Sequence, residues 1–199
     1  GLEQLQTLNL RLNSNITDAG LIHLRRMSVL TELNLSHTRV RGSGLAQLSA
    51  LQDLRTLNIS FTRIEDSSLS PSSFPPRLQH LDLTETGLSC DDLDAAMQNS
   101  LQESHPDLHC DCATYEPYDP HDEPGLCELE DYAELDAQDP FMPGGSSQQL
   151  EDTLSSLFSR VQPQVLNLSN QRLYDIGLAH LRDRTELRKL DLSRTQVTD

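Results

Sequence analysis

Residues 30–40 read Leu30-Thr31-Glu32-Leu33-Asn34-Leu35-Ser36-His37-Thr38-Arg39-Val40. Nearly the same sentence returns at 2–12 (LEQLQTLNLRL), 54–64 (LRTLNISFTRI), 78–88 (LQHLDLTETGL) and 187–197 (LRKLDLSRTQV). Each copy carries Leu-x-x-Leu-x-Leu, then a polar stretch with Thr or Asn, then another aliphatic. The last leucine-type residue of each Leu-x-Leu falls at Leu10, Leu35, Ile59, Leu83, Leu168 and Leu192, giving steps of 25, 24, 24, 85 and 24 residues. The extra residue of the first step sits at Leu12-Asn13-Ser14-Asn15, where other copies run straight through Ser-x-Thr. A fixed period of this length means a stacked array, because one unit cannot bury its apolar face alone.

Within a unit, Leu-x-Leu predicts a short parallel strand whose leucines point inward while the intervening residues point out. The return half predicts helix. Thr17–Met27 (TDAGLIHLRRM) and Tyr174–Arg184 (YDIGLAHLRDR) space aliphatics three apart behind a capping-type residue. GSGLAQLSAL is a weaker copy, and Ser67–Pro76 is too rich in Ser and Pro for a regular helix, so a 3₁₀ or extended return is expected there. Ser89-Cys90-Asp91-Asp92 opens another helical segment with Leu93, Met97 and Leu101 on one face.

The 85-residue step reads as two units. Leu108–Cys112 falls where a strand is due, and Leu150, Leu154, Leu157, Phe158 and Val161 form a helical stripe leading into a strand at Val165–Leu168. The expected organisation is therefore repeats over 1–112, an acidic Pro/Gly-containing insertion over 113–149, and repeats again over 150–199. The strands number seven and stack in chain order. Gly1-Leu2 and Thr198-Asp199 both fall inside a unit, so a fragment truncated within repeats at both ends is expected.

Charge is unevenly spread. The net charge is −16, yet Leu78–Ser159 holds 20 Asp or Glu and no Lys or Arg, leaving 15 basic and 11 acidic residues elsewhere. The stretch 113–149 combines acid, Pro and Gly, a composition that buries too little surface to offset chain entropy, so disorder is expected. It has two readings: a solvated loop, or a segment that folds on binding as an amphipathic helix through Leu126, Leu129, Tyr132, Ala133 and Leu135, with Phe141 and Met142 beyond. An intramolecular contact with the Arg-bearing repeat face is one form of the second.

The outward strand positions form rungs: Gln6, Thr31, Arg55, Gln79, Gln164, Arg188; then Thr7, Glu32, Thr56, His80, Val165, Lys189; then Asn9, Asn34, Asn58, Asp82, Asn167, Asp191. Beyond them lie His37, Phe61, Glu85, Asn170 and Arg194. This mixed face suits a protein partner, with Arg55, Phe61, His37, Glu32, His80, Arg188, Lys189 and Arg194 as the candidate contacts. It lacks the dense cations with interleaved aromatics of a nucleic-acid surface. The Asn/Asp rung reads as structural, as do Thr38, Thr62, Thr86 and Thr195, whose hydroxyls can satisfy backbone groups in the turn.

Cys90, Cys110, Cys112 and Cys127 stand near His105, His109, Asp111 and His121. The spacing is poor for zinc, no disulfide framework is evident, and buried thiols replacing strand leucines explain Cys110 and Cys112 most simply. No metal or cofactor is expected. Three of the four sequons, Asn34, Asn58 and Asn167, are by-products of the repeat on the binding face, which with the cysteine pattern points to a cytoplasmic or nuclear protein. No nucleophile–base pair, phosphate loop or apolar 18-residue run occurs, so neither an enzyme nor a membrane span is expected.

The units resemble the leucine-rich repeats of the ribonuclease-inhibitor-like superfamily, in the variant L-x-x-L-x-L-S-x-T-x-[VI]-T-D-x-G-L. The best copies are Leu30–Val40 and Leu187–Asp199. Thr17-Asp18-Ala19-Gly20-Leu21 carries T-D-x-G-L, and Tyr174–Leu178 carries it loosely. The similarity covers most of the chain outside roughly Ala113–Gln149. It implies an α/β solenoid, a horseshoe with a parallel sheet on its concave face and helical or irregular returns on the convex one. Repeats of this style occur in F-box substrate receptors of ubiquitin ligases, which implies a protein-binding module and a substrate-receptor role. An extracellular or pathogen-recognition receptor ectodomain is the alternative.

Overall fold

The structure, a computed structural model, describes residues 2–64, 74–87, 109–111, 132–134, 147–171, 173 and 178–198. Eight three-residue strands lie within them: β1 Thr7–Asn9, β2 Glu32–Asn34, β3 Thr56–Asn58, β4 His80–Asp82, β5 His109–Asp111, β6 Tyr132–Glu134, β7 Val165–Asn167 and β8 Lys189–Asp191. All seven pairings are parallel, and leucine faces leucine across them: Leu8 with Leu33 and Leu190, Leu33 with Leu57, Leu57 with Leu81. The leucines of these strands enter one continuous core that also holds Leu5, Leu30, Leu54, Leu78 and Leu187 from the turns before them.

The returns are tighter than expected. Gly20–Arg26 is a 3₁₀ helix, Gly42–Leu45 is a single α-helical turn (α1) followed by a 3₁₀ turn at Leu48–Ala50, and Ala179–Leu181 is again 3₁₀. A 3₁₀ helix rises about 2.0 Å per residue against 1.5 Å for an α-helix, so it spans the unit with fewer residues. Among the described residues the one long helix is α2, Ser147–Arg160, which buries Leu154 and Phe158. The Arg184 guanidinium lies over the Phe158 ring, 4.3 Å from its centroid, tying α2 to the return between β7 and β8.

The T-D-x-G-L motif works between units rather than within one. Asp18 Oδ1 accepts the Arg41 N–H of the next unit at 2.6 Å, and Ser43 Oγ donates to Asp18 Oδ2. Gly44 occupies the glycine position of that next unit. A Cβ there would lie 2.5 Å from Asp18 Oδ1 and 2.9 Å from Leu21 Cδ1, so only glycine lets the two returns approach.

Strand order departs from the sequential stacking expected. The sheet runs β5-β4-β3-β2-β1-β8-β7-β6, so the C-terminal units seat on the N-terminal strand rather than beyond β5. Among the described residues the strands number eight rather than seven, because Tyr132–Glu134, within the stretch expected to be disordered, pairs with β7. These three residues are strand rather than part of a helix. The remainder of 113–146, and the expected returns at 67–73 and 89–101, lie outside the described residues.

Two features explain the β1–β8 junction. A repeat edge accepts any unit presenting the same rungs, and the closure cost of a connection grows only slowly with its length, so chain order binds weakly. A specific lock then selects the partner. Asn13, buried in the unit with the extra residue, donates from Nδ2 to Leu10 O (3.0 Å) and across the junction to Leu192 O (2.8 Å). Its Oδ1 lies 2.9 Å from Thr195 Oγ1, whose single hydroxyl hydrogen is shared between that oxygen and Leu192 O.

Leu57 is 1% exposed between two neighbouring strands, whereas Arg55 is exposed on the open face. Leu57→Ala should cost roughly 2–5 kcal/mol in chemical denaturation and Arg55→Ala far less; equal losses would contradict the register. With the native cysteines replaced by serine, spin labels at positions 6 and 188 should report adjacent strands, about 5 Å apart at the backbone. Sequential stacking of the eight strands would separate them by seven strand spacings, roughly 34 Å.

Candidate protein-binding face

The open face is built on a polar framework. In every unit where it is described, the residue after the inward leucine accepts its own turn's N–H through its side-chain oxygen. Asn9 accepts from Arg11, Asn34 from Ser36, Asn58 from Ser60, Asp82 from Thr84, Asn167 from Ser169 and Asp191 from Ser193, all at 2.8–3.0 Å. Laterally, Asn58 Nδ2 donates to Asp82 (2.7 Å) and Asn9 Nδ2 to Asp191 (3.2 Å). The rung is structural, as its recurrence implied.

Four residues on, the threonine hydroxyls do what was expected: Thr38, Thr62, Thr86 and Thr195 each donate to the carbonyl three residues earlier. Between these two supports the backbone turns left-handed. Leu12, His37, Phe61, Glu85, Asn170 and Arg194 have φ of +61°, +55°, +54°, +55°, +60° and +54°. That conformation aims each N–H at the next unit: Leu12 at Ser36 O, His37 at Ser60 O, Phe61 at Thr84 O, Asn170 at Ser193 O and Arg194 at Arg11 O. The ladder thus crosses the β8–β1 junction unbroken. An L-residue other than Gly or Asn held left-handed costs ~1–2 kcal/mol, a cost that recurs here along a whole row.

On this framework the candidate contacts fall into two groups. In strand register, Lys189 (β8), Thr7 (β1), Glu32 (β2), Thr56 (β3) and His80 (β4) make one row, and Thr7 Oγ1 donates to Glu32 Oε2 at 3.4 Å. Arg55 Nη1 reaches Gln79 Oε1 at 3.4 Å, while Arg188 Nη1 is held by Gln4 through its carbonyl (3.3 Å) and Oε1 (3.0 Å). The left-handed row holds the rest. His37 and Phe61 stack face to face, centroids 4.2 Å apart and 7° between planes, and Arg194 lies exposed two units away.

Burial in this stack lowers the His37 pKa below its ordinary value, and the nearby Arg11 guanidinium pushes it the same way. His37 is therefore a neutral aromatic at pH 7. Chain-order stacking hid that Lys189 and Arg194 flank β1 rather than standing at the far end. The left-handed turn was also missed. A positional trace was present, since His37, Phe61, Glu85 and Arg194 each stand just before the recurrent Thr, whereas Leu12 precedes Asn13 and Asn170 precedes Gln171.

Cys110 takes the strand position in register with Leu81, as a leucine replacement would. Cys90, Cys112 and Cys127 lie outside the described residues. Among the described residues no group of three or more His, Cys, Asp or Glu could hold a metal, and no helix is long and apolar enough to cross a membrane.

A family model for leucine-rich repeats matches residues 4–24, 26–49 and 50–71. This fold is a leucine-rich-repeat solenoid. The matched units contain β1 to β3 and the stacked rings, and β4, β7 and β8 extend the same repeat in register on either side. Comparison with curated proteins finds no match to the chain.

Lowering pH tests the stack. The unfolded chain protonates its histidine near pH 6.5, whereas the native state resists. The stabilisation attached to neutral His37 is therefore complete above that pH and lost as pH falls toward the folded value. Denaturation series at pH 7.5 and 5.5 should show wild type losing more stability than His37→Asn. An equal loss would mean that His37 titrates as in the unfolded chain.

Proposed function

We propose that this chain is a protein-binding module that receives its partner on the open face of the sheet. Leucine-rich repeats are generally protein–protein interaction modules. The observation that carries the reading is the unbroken register row Lys189-Thr7-Glu32-Thr56-His80. Five adjacent strands present five partly or wholly exposed side chains of four kinds there, on a framework whose own polar groups are satisfied. Such a framework holds the face rigid, so little ordering entropy remains to oppose binding.

Within that class, the S-x-T-x-V-T-D-x-G-L style of the repeats supports the substrate-recognition part of a ubiquitin ligase adaptor, acting in the cytoplasm or nucleus. The sequon side chains favour the same compartments. Asn34, Asn58 and Asn167 use Oδ1 in their own turns, and Asn58 Nδ2 donates to Asp82, so a glycan on that nitrogen would break a rung of the sheet.

Affinity enrichment with three proteins tests the reading: wild type, Glu32→Trp with Thr56→Trp to obstruct the open face, and Arg25→Ala on the return side. Partners of the wild type should survive Arg25→Ala and disappear with the double substitution. For the ligase role, ubiquitin on those partners should fall in parallel. Loss through Arg25→Ala alone would move the interface to the other side of the solenoid.

A further inference from the structure

The left-handed row carries side chains that its turn does not need. The turn wants a residue tolerant of positive φ, and among the six only Asn170 and His37 are of types enriched there. Phe61 and Leu12 are among the poorest choices available, and Arg194 and Glu85 are exposed, so their side chains add no burial in return. Strain retained in successive units, against simple relief by Asn or Gly, marks a row kept for what its side chains touch.

The surroundings indicate what that is. His37 and Phe61 present a flat, half-buried pair of stacked rings. Arg39 and Arg63 stand exposed two residues beyond them, Arg11 is close enough to depress the His37 pKa, and Arg194 continues the row across the β8–β1 junction. Arg39, Arg63 and Arg194 form no ion pair among the described residues. Between β8 and β3 no carboxylate occupies the left-handed row or the positions of Arg39 and Arg63; Glu85 takes the next place in the row beyond Phe61, and Asp191 and Asp82 are engaged in the Asn/Asp rung. Guanidinium groups recognise carboxylates by paired N–H donors, and a flat ring pair accepts an aromatic side chain by stacking.

We infer that the turn-side rim of the sheet, centred on the His37–Phe61 stack and flanked by Arg39, Arg63 and Arg194, is a docking ledge for an acidic peptide bearing an aromatic residue. The inference rests on the open-face reading above and names the chemistry of the partner. Aromatic contact fixes the peptide's position, and the arginines supply attraction that weakens with salt. Neutral His37 serves here as a ring rather than as a further cation.

The test uses the full chain and a fluorescein-labelled peptide of Glu, Asp and Tyr, with a control in which Gln and Asn replace the acids. The acidic peptide should bind at low salt and the control at least tenfold more weakly. Phe61→Asn should keep or raise the melting temperature while weakening binding at least tenfold. Arg39→Gln with Arg63→Gln should weaken binding at least fivefold and flatten its salt dependence. The inference is overturned if Phe61→Asn lowers the melting temperature as Leu57→Ala does, since the ring would then serve the fold. It also fails if both peptides bind alike, if neither binds, or if a uridine oligonucleotide outcompetes the acidic peptide. In each of those cases, partner capture that still depends on Glu32 and Thr56 would leave the open-face reading standing.

Discussion

A three-residue strand is too short to be stable by itself, so every strand here depends on the polar turn that ends it. The side-chain oxygen of Asn or Asp ties down the first N–H of the turn, the threonine hydroxyl ties down the carbonyl three residues before it, and the left-handed residue between them passes its N–H to the neighbouring unit. Buried backbone groups left unpaired would cost ~1–3 kcal/mol each. Stacking satisfies them and buries the leucines together, so stability comes mainly from neighbour-to-neighbour interfaces rather than from any unit alone.

That dependence explains why chain order is not sheet order. The edge of the first unit presents a row of leucines and a ladder of N–H and carbonyl groups, and the β8 unit supplies a matching set in the same register. Leucines and ladder are common to all units, so they cannot select one partner over another. Asn13 can. It stands where other units have threonine, and its longer side chain crosses to Leu192 O and Thr195 Oγ1 in the adjoining unit. The irregular spacing of the first repeat is thus the feature that makes the junction specific.

The same junction reshapes the binding face. Stacking β8 on β1 brings Lys189, Arg188 and Arg194 beside the N-terminal units, so the cations collect around the stacked rings instead of at a distant end. Toward β4 the surface turns to His80, Asp82 and Glu85. A face with cations on one side and carboxylates on the other favours one orientation of a charged partner.

The sequence by itself determined the repeat, the inward leucines, the structural Asn/Asp rung and the structural threonines, because each follows from a local period that stacking can only reinforce. The candidate contacts were equally legible as outward positions, and Glu32, His80 and Lys189 do share one register row. The tighter returns were not legible, since apolar spacing of three fits α and 3₁₀ geometry alike. Nor was the φ of His37 and Phe61, because nothing in the residue type Phe announces a left-handed turn. Strand order and the gathering of arginines around the ring stack belong to tertiary structure alone. Identical rungs make many stackings nearly equal in energy, and contacts between residues far apart in the chain, such as Asn13 with Leu192 at 179 positions' separation and Asn13 with Thr195, distinguish them.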